Sequence, residues 1–101
     1  MRYLLRLLPL IEQMVEEDNY QMLGLLIVEC ISSETNFDNE IRQRNLYRLK
    51  CLDEAIGEVL LGLPPDRDTK LAEYRKRTNE GIEILERELK AESEGMKNPS
   101  V

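Results

Sequence analysis

Three sets of side chains in this sequence are of types that can do chemistry, and each asks for a different partner. Glu80, Glu83 and Glu86 stand three apart and Glu12 and Glu16 four apart, so each set falls along one side of a helix. Carboxylates paired on facing helices hold Mg²⁺ in all-α nucleotide hydrolases, because hard cations take several oxygen ligands. With 20 acids among 101 residues, such spacings arise by chance, and Arg87 and Lys90 stand close enough in sequence to neutralise the second set. The expectation is a solvated acidic face with no metal, and a Mg-dependent nucleotide hydrolase is the weakest of three functional readings.

Nucleophilic chemistry has less support still. The chain has no His, so a Ser or Cys nucleophile lacks its usual base. Cys30 and Cys51 lie in apolar periodic segments, outside any CxxC or metal-spaced cluster, which points to free thiols in a reducing compartment. A Gly-rich phosphate loop is absent. The chain is therefore expected to be non-catalytic, without a cofactor and cytoplasmic.

The third set is cationic and aromatic. In "EIRQRNLYRLKC", Arg44, Tyr47, Arg48 and Cys51 fall at i, i+3, i+4 and i+7, on the flank away from Leu52 and Ile56. Guanidinium groups beside a ring suit a carboxylate, a phosphate or the acidic helix of a partner. The plainer alternative is a solvated face with Glu40 paired to Arg44. Arg42, Arg44, Arg48 and Lys50 together make nucleic-acid binding the runner-up function. A net charge of −6 opposes it at long range. That charge sits in residues 1–40, where eight acids face only Arg2 and Arg6.

The elements that position these groups are helices. The 3.6-residue period dominates, and no alternating run or hairpin turn supports a strand. A first helix is expected over 5–17, with Leu4, Leu8, Ile11 and Val15 on one face and Pro9 in its first turn. "EEDNY" breaks the chain, and a second helix follows over 20–33. "SSETNFDN" reads as a connector ending in the N-cap Asp38. The third helix, 39–61, carries Leu49, Leu52, Ile56 and Val59 in one stripe, with Asn45 in line as a buried amide able to fix register. Gly62, read as a left-handed cap, and the two following prolines end it. Asp66 or Asp68 should cap a fourth helix over 69–92, whose stripe of Leu71, Tyr74, Thr78, Ile82, Leu85 and Leu89 is narrow enough to be a seam.

The expected architecture is thus all-α. A small bundle of four helices has short helices 1 and 2, read as one broken arm, packed on a long antiparallel hairpin of helices 3 and 4. Residues 1–92 form the domain, and 93–101 are a disordered tail.

Helix 2 does not fit this picture comfortably. In "YQMLGLLIVECI" the apolar residues sweep roughly 240° of a wheel turning about 100° per residue. The run is too short for a bilayer, which takes about 20 residues, and no membrane role is expected. Three neighbours in so small a chain leave part of this helix uncovered. Met22, Leu23, Leu26, Ile27 and Cys30 are accordingly the expected interface with a second copy or another protein. The leading functional expectation is a protein–protein interaction module acting through helix–helix contact as a homodimer.

Overall fold

One side chain starts the third helix. The Asp38 carboxylate accepts the Ile41 N–H at 2.8 Å, capping α3 (Asn39–Leu61) at the residue and bounds expected. The computed structural model describes residues 2–32, 36–64 and 69–97, with four helices among them. At the far end of α3, Gly62 is right-handed (φ −92°, ψ 0°), not left-handed, and its N–H closes on the Val59 carbonyl at 3.1 Å. A tightened last turn stops this helix without a left-handed residue.

α4 (Thr69–Lys97) is 29 residues, about 43 Å at about 1.5 Å per residue. It continues five residues beyond the expected end at Glu92, so the first half of the supposed tail is helical. Residues 98–101 lie outside the described residues, as do Asp66 and Asp68, the expected caps.

α1 (Arg2–Glu17) begins earlier than expected and carries Pro9 in its interior. Pro9 is exposed, so the Leu5 carbonyl left without an intrahelical N–H partner faces the solvent side of the helix. The other end of α1 is built on Asp18, at φ 52°, the positive-φ non-Gly residue among those described. Asn19 N–H reaches the Met14 carbonyl at 3.0 Å and Asp18 N–H the Val15 carbonyl at 3.2 Å. This is the paired closure of a Schellman motif, with Asp where glycine is usual. It turns the chain back, and the Asn19 side chain then accepts the Gln21 N–H at 3.2 Å as α2 (Gln21–Ile31) begins.

Contacts along the bundle fix the directions. Lys70, at the start of α4, pairs with Asp18 at 3.1 Å, while Tyr3, near the start of α1, lies close enough to Arg48 and Cys51 on α3 to be influenced by their charges. α1 therefore runs alongside α3 in the same direction. Tyr20 stacks on Tyr74 with centroids 5.5 Å apart, and Ile31 meets Gly81, so α2 runs alongside α4. Helices 1 and 2 are not one broken arm but a second antiparallel layer over the α3–α4 hairpin. α3 and α4 pack most extensively, and α1 rests on α3 and α2 on α4 and α3.

Two cores result. One joins Leu7, Ile11, Val15, Leu23 and Ile27 to Leu52, Ile56 and Leu71, and the other joins Cys30 to Leu49 and Leu85. Gly81 lets three helices meet, since a Cβ there would stand 2.7 Å from Ile31 Cγ2 and 3.2 Å from Leu49 Cδ1. Thr78 is fully buried and donates to the Tyr74 carbonyl at 2.8 Å, its place in the seam without a partner helix's help. Asn45 is buried too, but it serves the chain itself. It donates to Asn36 at 2.8 Å, and Asn36 donates to the Cys30 and Ser32 carbonyls at 2.7 and 3.0 Å, closing the C-terminus of α2.

Candidate interaction surface

The face of α2 that meets the bundle is marked by two contacts with α4, one of them tight. A Cβ at Gly24 would stand in ordinary contact with the Tyr74 ring at 3.5 Å, whereas Gly81 receives Ile31 where a Cβ would stand only 2.7 Å from its Cγ2. With those points in place, Leu23, Ile27 and Cys30 turn inward and are buried, and Leu26 is half-buried. Three of the five residues expected at an interface are therefore core of the same chain. The wheel measured the apolar circumference correctly but could not say which arc faces α3 and α4.

The arc left outside is Met22, Leu25 and Val28, exposed by 58, 63 and 61%. Of the expected set, Met22 belongs to it. On one side, a groove of about 340 Å³ separates this ridge from α1, with Leu10 and Met14 opposite Met22 and Leu25. On the other, a smaller hollow of about 160 Å³ separates it from α4, where Ile84 stands across from Val28. An apolar ridge with a groove on either flank is the shape that another helix packs against. Side by side, α1 and α2 leave this layer open at its outer side.

The cationic patch is divided by the structure. Arg42 bonds Glu92 and stands 3.4 Å from Glu88, while Lys50 pairs with Glu86 at 3.6 Å. Both are cross-links of the α3–α4 hairpin. Arg44 and Arg48 are exposed, and among the described residues neither has a carboxylate within ion-pair distance, Glu40 included. Tyr47 is exposed beside them. Cys51 is not on an outer flank: it is buried against α1, whose position on α3 the sequence did not reveal.

Charge in this corner acts over short range. Burial pushes the Tyr3 phenol and the Cys30 thiol above their ordinary values, and the Arg48 guanidinium pulls each partly back. The Tyr47 phenol is raised first by its hydrogen bond with the Cys51 side chain, then by that thiol's charge. Raised thiol values belong to inert packing residues, not to nucleophiles. The Arg48 guanidinium is thus within electrostatic reach of Tyr3 near the start of α1 and of Cys30 near the end of α2.

Among the described residues, no cluster of three His, Cys, Asp or Glu could hold a metal ion. No described helix is long and apolar enough to cross a membrane. No protein-family model, curated protein or solved structure matches the chain.

Proposed function

We propose that this chain is a non-catalytic protein–protein interaction module, of the adaptor, inhibitor or assembly-subunit kind, that pairs with a second copy of itself through the outer side of the α1–α2 layer. The observation that carries the reading is the outward arc of α2: Met22, Leu25 and Val28, more than half exposed, at the centre of an apolar strip reaching Leu10 and Ile84. Scattered exposed leucines need no explanation, but exposed apolar side chains clustered on three neighbouring helices, along the edges of two grooves, are what an interface uses.

The nucleic-acid alternative loses support from the ion pairs. With Arg42 and Lys50 neutralised by α4, Arg44 and Arg48 are the guanidinium groups of α3 without an ion-pair partner among the described residues, a short track for a phosphate backbone.

Mass by light scattering over a micromolar dilution series tests the proposal. A mass near twice 11.8 kDa is expected. Leu25→Glu should return the chain to one copy with an unchanged helical spectrum, because Leu25 supports nothing inside the monomer. A wild-type chain that stays single at every concentration overturns the reading.

A further inference from the structure

α1 and α2 run side by side in one layer, yet α1 packs on α3, and α2 on α4 and α3, far more than either packs on the other. The gap left between them is the groove of about 340 Å³, walled by Leu10 and Met14 of α1 and by Met22 and Leu25 of α2. Two of those four side chains are methionines, whose unbranched thioethers adapt to what enters. Charge is sparse here for a chain of net charge −6, since Glu17, beside the turn, is the ionisable side chain among the described lining. A second copy of an acidic chain meets least opposition on such a face.

The same face carries what would fill the groove. Met22, Leu25 and Val28 form the crest of α2, each more than half exposed and spaced by three. Packed helices stand about 8–10 Å apart, so crest and groove lie roughly 5 Å from one another across the layer. That offset selects the symmetry of two such layers packed with their helices aligned. A two-fold axis across the helices keeps every lateral position, and so sets crest on crest and groove on groove. An axis along the helices, between crest and groove, exchanges the two positions. Each crest then enters the other copy's groove.

We infer that a second copy docks with its helices pointing the same way, the α2 crest of each copy lying in the α1–α2 groove of the other. The inference rests on the self-pairing proposed above and supplies its seat and direction. An axis along the helices preserves level, and Leu25 already stands opposite Leu10 and Met14 in its own groove. Leu25 of each copy therefore enters between Leu10 and Met22 of the other, and Met22 meets its own counterpart near the axis. The contact is isologous and closes at two copies. Glu29, four residues after Leu25 and seven after Met22, is exposed on the same side of α2, so the two Glu29 carboxylates approach one another at one end of the contact. An exposed contact of this kind costs little, and its sign identifies the direction of docking.

Substitutions on either side of the crest test the seat, and a cross-link tests the direction. Leu10→Glu, on the groove wall, should weaken self-association roughly tenfold or more, as Leu25→Glu does, whereas Ile84→Glu, in the hollow beyond the crest, should leave it within about threefold. If Leu10→Glu does not fold, Leu10→Ala should still weaken pairing. Under a mild oxidant, Met22→Cys should become a covalent pair, whereas the wild type, with Cys30 and Cys51 buried, should not. Glu29→Gln should tighten pairing, and more at low salt than at high. Pairing loosened by Ile84→Glu but not at Leu10 overturns the seat. A Met22→Cys chain that keeps a two-copy mass without cross-linking, or a Glu29→Gln chain that pairs less well, overturns the direction. These outcomes leave the effect of Leu25→Glu, and so self-pairing, intact. A wild-type chain that is always single overturns both proposals and leaves the groove to the helix of a foreign protein.

Discussion

The α3–α4 hairpin and the α1–α2 layer draw on the same residue types and use them to different degrees of completion. In the hairpin, Arg42, Lys50 and Arg75 each reach a carboxylate on the facing helix, and Asn79 adds a 2.8 Å bond to Asp53. Its narrow apolar stripe is consumed by the seam. In the layer above, Glu12 and Glu16 have no ion-pair partner among the described residues, and α2 has more apolar circumference than its neighbours cover. A finished element reports on stability. An unfinished one reports on what the molecule meets.

The contrast is sharpest within α2, between residues two apart. Leu23→Ala removes a fully buried side chain from the larger core and should cost about 2–5 kcal/mol. Leu25→Ala, measured by denaturation at a dilution where the chain is single, should stay within about 0.5 kcal/mol of wild type. Comparable losses at both positions would mean that the two sides of α2 are not distinguished as described.

The joint between the layers comes next. Asn45→Ala leaves the buried Asn36 carbonyl oxygen without its 2.8 Å donor and should cost about 1–3 kcal/mol. Amide exchange at the end of α2 should quicken with it, because Asn36 is what closes those carbonyls. A stability loss without faster exchange there would mean that Asn45 acts by filling space alone.

Two helix glycines then separate hairpin from layer. Each would gain about 1 kcal/mol of helix propensity as Ala. At Gly81 the new methyl meets a β-branched Ile31 methyl and a buried Leu49, so repacking should turn the gain into a net loss of about 1 kcal/mol. At Gly57 it would stand 2.8 Å from Arg75 Nη2, the far end of a flexible side chain that can swing aside at the cost of a partly exposed ion pair to Asp53 worth less than the gain in helix propensity. Gly57→Ala should therefore match or exceed wild type in thermal melting. A Gly81→Ala chain that melts higher would show α2 to be docked less tightly than these contacts imply.

How much of this was legible in the sequence follows from the same division. α3 was readable to the residue because its signals are local: a capping Asp38 before it, Gly62 and Pro64 after it. The narrow seam of α4 was readable because a helix pair needs only one stripe. The start of α1 was not, since Pro9 at an exposed position costs one hydrogen bond and so does not fix a first turn. Nor was the inward arc of α2, which depends on where Gly24 and Gly81 let it approach. Cys51 was misplaced for a related reason, because its cover comes from α1, 34 or more residues earlier in the chain. Periodicity gives the size of an apolar face, whereas its orientation is a property of the neighbours.

The turn that folds the layer back on itself offers the smallest effect and a clean sign. Asp18 sits at φ 52°, a region costing an L-residue roughly 1–2 kcal/mol, less for Asp than for most. Glycine there would relieve that strain but add unfolded-state freedom worth about 0.5–1 kcal/mol, and it would lose an exposed ion pair to Lys70 worth about 0.2–1 kcal/mol. Asp18→Gly should thus lie within about 0.5 kcal/mol of wild type. Asp18→Ala loses the same ion pair and keeps a Cβ in the left-handed region, so it should fall roughly 1 kcal/mol below the glycine variant. Both remove the same charge, which leaves backbone conformation as the only difference between them. Equal stabilities would mean that residue 18 does not hold the left-handed closure in solution, and the antiparallel α1–α2 layer would lose the turn on which its outer face depends.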